Sequence, residues 1–400
     1  MTWEIKIGKK SGALLLITAI LSALGLYSWY VMFTTPGTVG TNMFVPWGLV
    51  PSLYIFLVTS GACFVASLPE TFGYKPLEPL SRRALWAALA TLLVGLFVIV
   101  LDLGRPERFY YSMIGYVNLA SPMLWMIYLY IAEMIVLAVE FLIAFRRDFA
   151  FIANRSTGLK WLVYRILALG TKDESEASLR RDMKLCSALG FLAITLLIAA
   201  YSNLGMIFAA VDARPWRVAN LVPFEMTLFG VTMGVALITL LQILAIWARR
   251  SELSREVKEG LLALRKILAI LLVVCTFFIS WEHLARAWYL SPQVYEMEWA
   301  IAFGPLAVTF WGGQLLLGLL VPLLMLSIPR IGKTLSGLAA SSLLVIAGVF
   351  ATRYLMVVSG QLPPLMDGLP FGAYSPTLIE SLFALGILSL TALVLMIGEI

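Results

Sequence analysis

The sequence has one histidine, three cysteines and few charges: aspartate, glutamate, lysine and arginine make up only 13% of its 400 residues. Each scarcity excludes something. An iron–sulfur cluster usually takes four thiolates, and Cys63, Cys186 and Cys275 stand singly in three separate apolar runs, with no C-x-x-C spacing. They read as small apolar fillers. One histidine cannot supply both axial ligands of a bis-histidine haem. No glycine-rich nucleotide loop follows a strand pattern. A soluble domain carries roughly 25% charged residues, and a disordered chain is still more polar. The net charge of +6 comes from basic residues scattered between apolar runs, so nucleic acid is not an expected partner.

What is abundant is apolar sequence, 61% of the chain with a mean hydropathy of +0.92. A helix needs about 20 apolar residues to cross a bilayer. Ten runs qualify: 11–33, 44–68, 83–103, 118–144, 185–210, 221–248, 262–288, 298–327, 333–358 and 376–398. Strands of a membrane barrel would be short and alternating. These runs are long and apolar on every face, so the fold class is all-α, a polytopic membrane protein of about ten helices. The first run, through Tyr30, outlasts a signal h-region of about 7–15 residues, and no A-x-A site follows it, so it reads as a retained helix.

Of the 29 lysines and arginines, 23 fall in the N-terminal tail and in the loops after spans 2, 4, 6 and 8, among them Lys6, Lys9, Lys10 and Arg250. The six on the other side are Arg105, Arg108, Arg214, Arg217, Arg286 and Arg353. Cytoplasmic loops of membrane proteins are rich in lysine and arginine, which puts both termini on the cytoplasmic side of a cell membrane. Residues 145–184 form a cytoplasmic loop in which Leu159, Leu162, Ile166 and Leu167 recur at helical spacing beside Lys160, Trp161, Tyr164 and Arg165. That pattern predicts an amphipathic helix lying on the lipid surface.

Within the single membrane domain, 1–400, two halves are expected, 11–210 and 211–400. Val45-Pro46-Trp47 opens span 2 and Val222-Pro223-Phe224 opens span 6. Asp102 to Arg105 with Tyr110 closes span 3, and Glu282 to Arg286 with Tyr289 closes span 7. The repeat suggests two four-helix bundles, spans 2–5 and 6–9, flanked by spans 1 and 10.

Ionisable groups inside a membrane cost several kcal/mol unless paired or hydrated, so each is a candidate site. Asp102, Glu225, Glu282, His283, Glu298, Arg353 and Glu380 all fall in the outer part of their helices. Only Glu133 and Glu140 lie deeper. Structural readings stand beside functional ones. Glu298 suits a solvated helix end, and Asp102 equally suits a clamp on Arg105. His283 alone suits a satisfied interior histidine, and Arg353 a neutralising partner for Glu282 or Glu380.

Several motifs together resemble one known family. Pro46-Trp47-Gly48 opens span 2, Asp102-Leu103-Gly104-Arg105-Pro106 closes span 3, and Ser121-Pro122-Met123-Leu124-Trp125 opens span 4. These resemble the NrfD/PsrC family, integral-membrane subunits of polysulfide reductase and related complexes. Tyr201-Ser-Asn-Leu-Gly205, Arg214-Pro-Trp216, and Arg353 with Tyr374-Ser-Pro376-Thr377 look like its ten-helix branch, most like the Dsr/Hmc-type menaquinol-oxidising complexes of sulfur metabolism.

The resemblance implies a subunit of a respiratory quinol oxidoreductase that carries neither haem nor cluster. It implies a menaquinone or menaquinol site in the outer half of the first bundle, near Trp47, Asp102, Arg105 and Ser121. It also implies a ferredoxin-like iron–sulfur subunit on the outer face, with further redox subunits around it in the lipid. Tyr201 stands where some members have a histidine, and its hydroxyl can donate a hydrogen bond to a quinone. On this reading Asp102, Glu282 and His283 are the catalytic candidates, with Tyr110 and Tyr111 as donors. Glu133, Glu140, Glu225, Arg353 and Glu380 are candidates for a proton path. No metal site is expected. Two other classes fit the composition: a secondary transporter with an outer charged site, and a passive anchor for soluble redox subunits.

Overall fold

The computed structural model describes residues 9–115, 117–218, 221–249, 252–288, 291–366 and 368–398. Lys6, Arg250 and Tyr289 lie outside them. Among the described residues there is no strand, and ten helical spans are long and apolar enough to cross a membrane.

The first span is α1 (Lys9–Thr34), and the second is a pair of helices, α2 (Leu49–Val58) and α3 (Ala62–Phe72). The third and fourth are α4 (Glu78–Asp102) and α5 (Pro122–Ala144). Two short helices, α6 (Arg146–Asn154) and α7 (Gly158–Leu167), precede the fifth span, α8 (Glu176–Ala209). The sixth and seventh are α9 (Val222–Arg249) and α10 (Arg255–Ala287), followed by the short α11 (Pro292–Ala302). The eighth is a π-helix, Val308–Leu320, that runs into α12 (Val321–Ser327). After a single turn, α13 (Pro329–Gly332), come α14 (Leu335–Ser359) and α15 (Leu378–Ile397).

Spans 2 to 5 pack on one another, as do spans 6 to 9, and α1 packs along α15. The two groups meet where α8 and α3 lie on α9 and where α2 lies on α14. Ten crossings return the chain to the face on which it began. We call that side, which carries the 145–184 segment, the basic face, and the other the Asp102 face. On the basic face α7 has no buried residue and exposes Leu159, Leu162, Val163 and Ile166. Arg146 pairs there with Asp182, and Arg155 with Glu174 at 3.2 Å.

Lipid tails are as apolar as leucine, so membrane helices associate through close packing at small residues. Gly25 of α1 meets Gly386 of α15, and Gly318 meets Gly348, so closely that a Cβ at any of them would strike the facing backbone.

Two spans differ from the sequence expectation. Span 2 is not one helix over 44–68: it breaks at Thr59–Gly61 and continues to Phe72. Gly61 has φ +62°, a conformation that costs glycine nothing, and the backbones of Gly230 and Gly234 lie against it. Span 8 does not begin at Glu298. That residue sits on the separate α11, and the wide turns of Val308–Leu320 follow. Pro322, just beyond, has no N–H to donate and crowds the carbonyl four residues back.

Candidate functional site

One cavity lies at the Asp102 face, outside the first bundle, between α1, the start of span 2, the end of α4 and α15. It holds about 180 Å³. Trp29, Met32 and Phe33 form one wall, Pro46, Val50 and Pro51 another, with Leu101, Asp102 and Phe383 closing it. Trp29 Nε1 donates to the Leu101 carbonyl at 2.9 Å and fastens α1 to α4. Asp102 is exposed at this cavity. Among the described residues no ion pair joins it to Arg105, so its carboxylate is not locked in a clamp.

The other residues expected beside Asp102 turn elsewhere. Arg105, Tyr110 and Tyr111 are exposed on the segment between α4 and α5. The Tyr110 and Tyr111 rings sit 4.6 Å apart, and their hydrogen bond raises the Tyr110 phenol above its ordinary value. Ser121 is the residue preceding α5, with no capping bond from its side chain. Trp47 stacks on Trp216 at 6.1 Å and meets Phe208 edge-on at 5.7 Å. Gln361 holds that tryptophan by both backbone groups: its Oε1 accepts from Trp47 N at 2.9 Å, and its Nε2 donates to Trp47 O at 2.8 Å. Arg214 donates to the carbonyls of Gln361 and Phe44. This plug joins the two bundles.

Glu380 borders the cavity but is fully engaged. It completes a capping box with Thr377 at the start of α15 and accepts from Gly40 N at 3.0 Å and Tyr374 Oη at 3.2 Å. Loss of an N-cap interaction costs about 1 kcal/mol, and here two further donors lose their acceptor. Glu380→Ala is expected to lower stability by about 1–2 kcal/mol, read as an earlier unfolding midpoint in detergent. An unchanged midpoint would show that the carboxylate is free for other work.

A second cluster lies in the second bundle on the same face. Arg286 pairs with Glu282 one turn back and with Glu298 at 3.1 Å. His283 Nδ1 is 2.6 Å from the other Glu298 oxygen, and its ring meets Phe310 edge-on at 4.6 Å. Burial pushes the Glu298 carboxyl up, but His283 and the Arg286 charge outweigh it and hold Glu298 below the usual carboxylate range. Glu225, Gln314 and Arg353 close a cavity of about 40 Å³ over this cluster, space for a water or two.

The third group is deep. Tyr201, the candidate hydrogen-bond donor to a quinone, lies at the break in span 2. Its phenol oxygen accepts from Gly61 N at 3.0 Å. Tyr130 stands beside it, ring centroids 6.4 Å apart. Glu133 and Glu140 are buried, with Cys63 Sγ 3.8 Å from Glu133.

Three features that sequence reasoning missed do leave marks in the sequence. Arg286 stands four residues after Glu282, the spacing of a helical ion pair. Thr377 and Glu380 have capping-box spacing. Gly61 after Ser60 is the only mark of the break. Among the described residues no group of three or more His, Cys, Asp or Glu side chains is placed to hold a metal ion.

The chain has relatives among known proteins. The chain is 26% identical to a selenate reductase subunit of Mesobacillus selenatarsenatis, over 94% of this chain and 90% of that one. It is 24% identical to the Hdr-like menaquinol oxidoreductase integral membrane subunit of Archaeoglobus fulgidus, over 96% and 91%. It is 27% identical to a putative dimethyl sulfoxide reductase membrane subunit of Halobacterium salinarum, over 96% and 89%. Residues 37–364 match the family described as polysulphide reductase, NrfD, and this ten-span chain, with its first bundle, its second bundle and the plug between them inside the matched region, belongs to that family.

Proposed function

We propose that this chain is the quinol-binding membrane subunit of a multi-subunit respiratory oxidoreductase, with menaquinol its substrate in the cavity beside Asp102. The observation that carries the reading is that cavity. It is lined by aromatic and aliphatic side chains, it is large enough for a ring head group, and a carboxylate outside any ion pair with Arg105 stands at its edge. Small-molecule sites combine an apolar wall with a few polar groups in this way. Quinol oxidation supplies two electrons and two protons. Asp102 accepts the two phenolic protons in turn and passes each to the adjoining water before taking the next. Trp29, Pro46 and Phe383 hold the ring and exclude solvent from it. The relative named as a menaquinol oxidoreductase subunit supports this substrate class.

The electrons pass to an iron–sulfur subunit docked on the Asp102 face. The segment between α4 and α5 suits that contact, because it exposes Phe109, Tyr110, Tyr111 and Ile114 together with Arg105 and Arg108. Aromatic and arginine side chains are the groups enriched in protein interfaces. On this reading the Asp102 face is the outer one, the basic face is cytoplasmic, and buried acids of both bundles carry protons across.

Extraction of the purified complex with organic solvent is expected to release about one menaquinone per chain. Substituting Trp29→Ala should lower that yield several-fold. A complex that assembles fully and carries no quinone, even after incubation with excess, would make the chain a passive anchor.

A further inference from the structure

The break in span 2 is flanked by polar atoms that have nothing to bond. Tyr130 Oη, one carboxyl oxygen of Glu133 and the Nε of Arg353 lack partners, and these residues are 0%, 2% and 1% exposed. The first turn of α3 adds backbone N–H groups without helical acceptors, and the N–H of Gly61, at its start, is taken by Tyr201. Unpartnered polar atoms gathered in one buried region are the setting in which ordered water is retained.

The position of Arg353 gives that region a direction. It enters from α14, donates to the Met226 carbonyl of α9 at 2.9 Å, and lies within electrostatic reach of Tyr130 and Tyr201 on one side and of Glu225 and Cys275 on the other. Beyond Glu225 the second bundle continues through Glu282 and Arg286 to His283 and Glu298, whose side chains are 20% and 17% exposed. Beyond Glu133 the first bundle continues past Cys63, which lies near both acids, to Glu140. Glu133 and Glu140 are two helical turns apart, about 10 Å, and both Glu140 oxygens are unpartnered. Glu140 in turn faces Glu70 at the basic end of α3.

We propose that the break in span 2 is a proton junction between the two bundles. A path runs from Glu140 at the basic face to Glu133, Tyr130 and Tyr201, crosses beside Arg353 to Glu225, and leaves by His283 and Glu298 at the Asp102 face. Each step is a hop along hydrogen bonds through water. Glu133 gives its proton towards the tyrosine side as it takes one from Glu140, so each bond broken is matched by one formed and no electron is gained or lost. Arg353 is a positioning residue: its bond to the Met226 carbonyl fixes the guanidinium between the two tyrosines and Glu225, where its unpartnered N–H orients the bridging water. The direction of travel is set by quinol oxidation, and to that extent the inference rests on the function proposed above.

The test uses the whole complex in sealed vesicles, with electron transfer from a short-chain menaquinol followed alongside an internal pH dye. In Glu133→Gln, uncoupled electron transfer should stay within twofold of the parent. The protons moved per electron should fall to those released by the quinol alone. Glu140→Gln should do the same. Parent-like translocation in Glu133→Gln overturns the junction. A parent complex that oxidises quinol but moves no further protons overturns it too and leaves the quinol reading intact. Failure to oxidise quinol at all sinks the quinol reading instead. The junction is then decided by infrared spectra of the purified complex: Glu133→Gln must remove a deuterium-sensitive band of a protonated buried carboxyl, and an unchanged spectrum overturns it.

Discussion

Asp102→Asn is expected to slow quinol-dependent reduction of the partner's clusters by about a hundredfold or more, the usual scale of a lost general base, while the complex still assembles. The two halves of that expectation come from the same geometry. Asp102 is exposed at the end of α4 and takes part in no ion pair with Arg105, so the isosteric amide removes no bond that holds the fold. Among the described residues it removes the only acid besides Glu380 at the cavity, and Glu380 is already occupied by Gly40, Tyr374 and the α15 cap. An amide cannot take a phenolic proton. Stopped-flow reduction of the clusters by a short-chain menaquinol reads the rate, and co-purification of the partner reads assembly. Parent rates in the variant would remove Asp102 from the chemistry and send the search to the second bundle.

Arg286→Met should have the largest effect on stability, about 3–5 kcal/mol, the cost of stranding a buried charge. Arg286 serves both Glu282 and Glu298, and all three side chains are at least four-fifths buried. Without it, two carboxylates remain in an apolar bundle end with only His283 to share. Glu282→Gln combined with Arg286→Met should recover part of the loss, because one stranded charge goes with the cation. The depressed Glu298 carboxyl sets the pH window of its own share: complete above the ordinary glutamate value of about 4.3, and lost as pH falls through the lower folded value. Unfolding in mixed micelles titrated with a denaturing detergent, at pH 7 and at pH 4, measures both. A variant as stable as the parent would mean that water, not Arg286, neutralises this cluster.

The ten spans are legible in the sequence because a bilayer imposes one length and one composition on every crossing. The crowding of Asp102, Glu225, Glu282, Arg353 and Glu380 toward one face is legible because lysine and arginine bias gives each span a direction. What stays hidden has physical reasons as well. The break at Thr59–Gly61 leaves hydropathy untouched, since a single left-handed glycine turns the chain without adding polarity. The cavity joins Trp29, Asp102 and Phe383, residues brought together only when the first and last spans pack. The contact of the Tyr201 hydroxyl with Gly61 N joins two residues 140 apart in the chain, and nothing in either segment announces it. The capping role of Glu380 is written in Thr377-x-x-Glu380, but an acid inside a membrane run draws a functional reading first.

The pairing of α1 with α15 has a consequence for how the protein is made. Only 22% of the first span is buried, and its main neighbour is the tenth span. At about 5–20 residues per second, ribosomes need roughly 20–70 seconds to travel from one to the other. During that time the first span waits in lipid, with the glycine face at Gly25 uncovered. A chain cut before Leu378 has no partner for that face and no wall for the Asp102 cavity. Insertion of the tenth span and completion of the proposed substrate site are therefore one event.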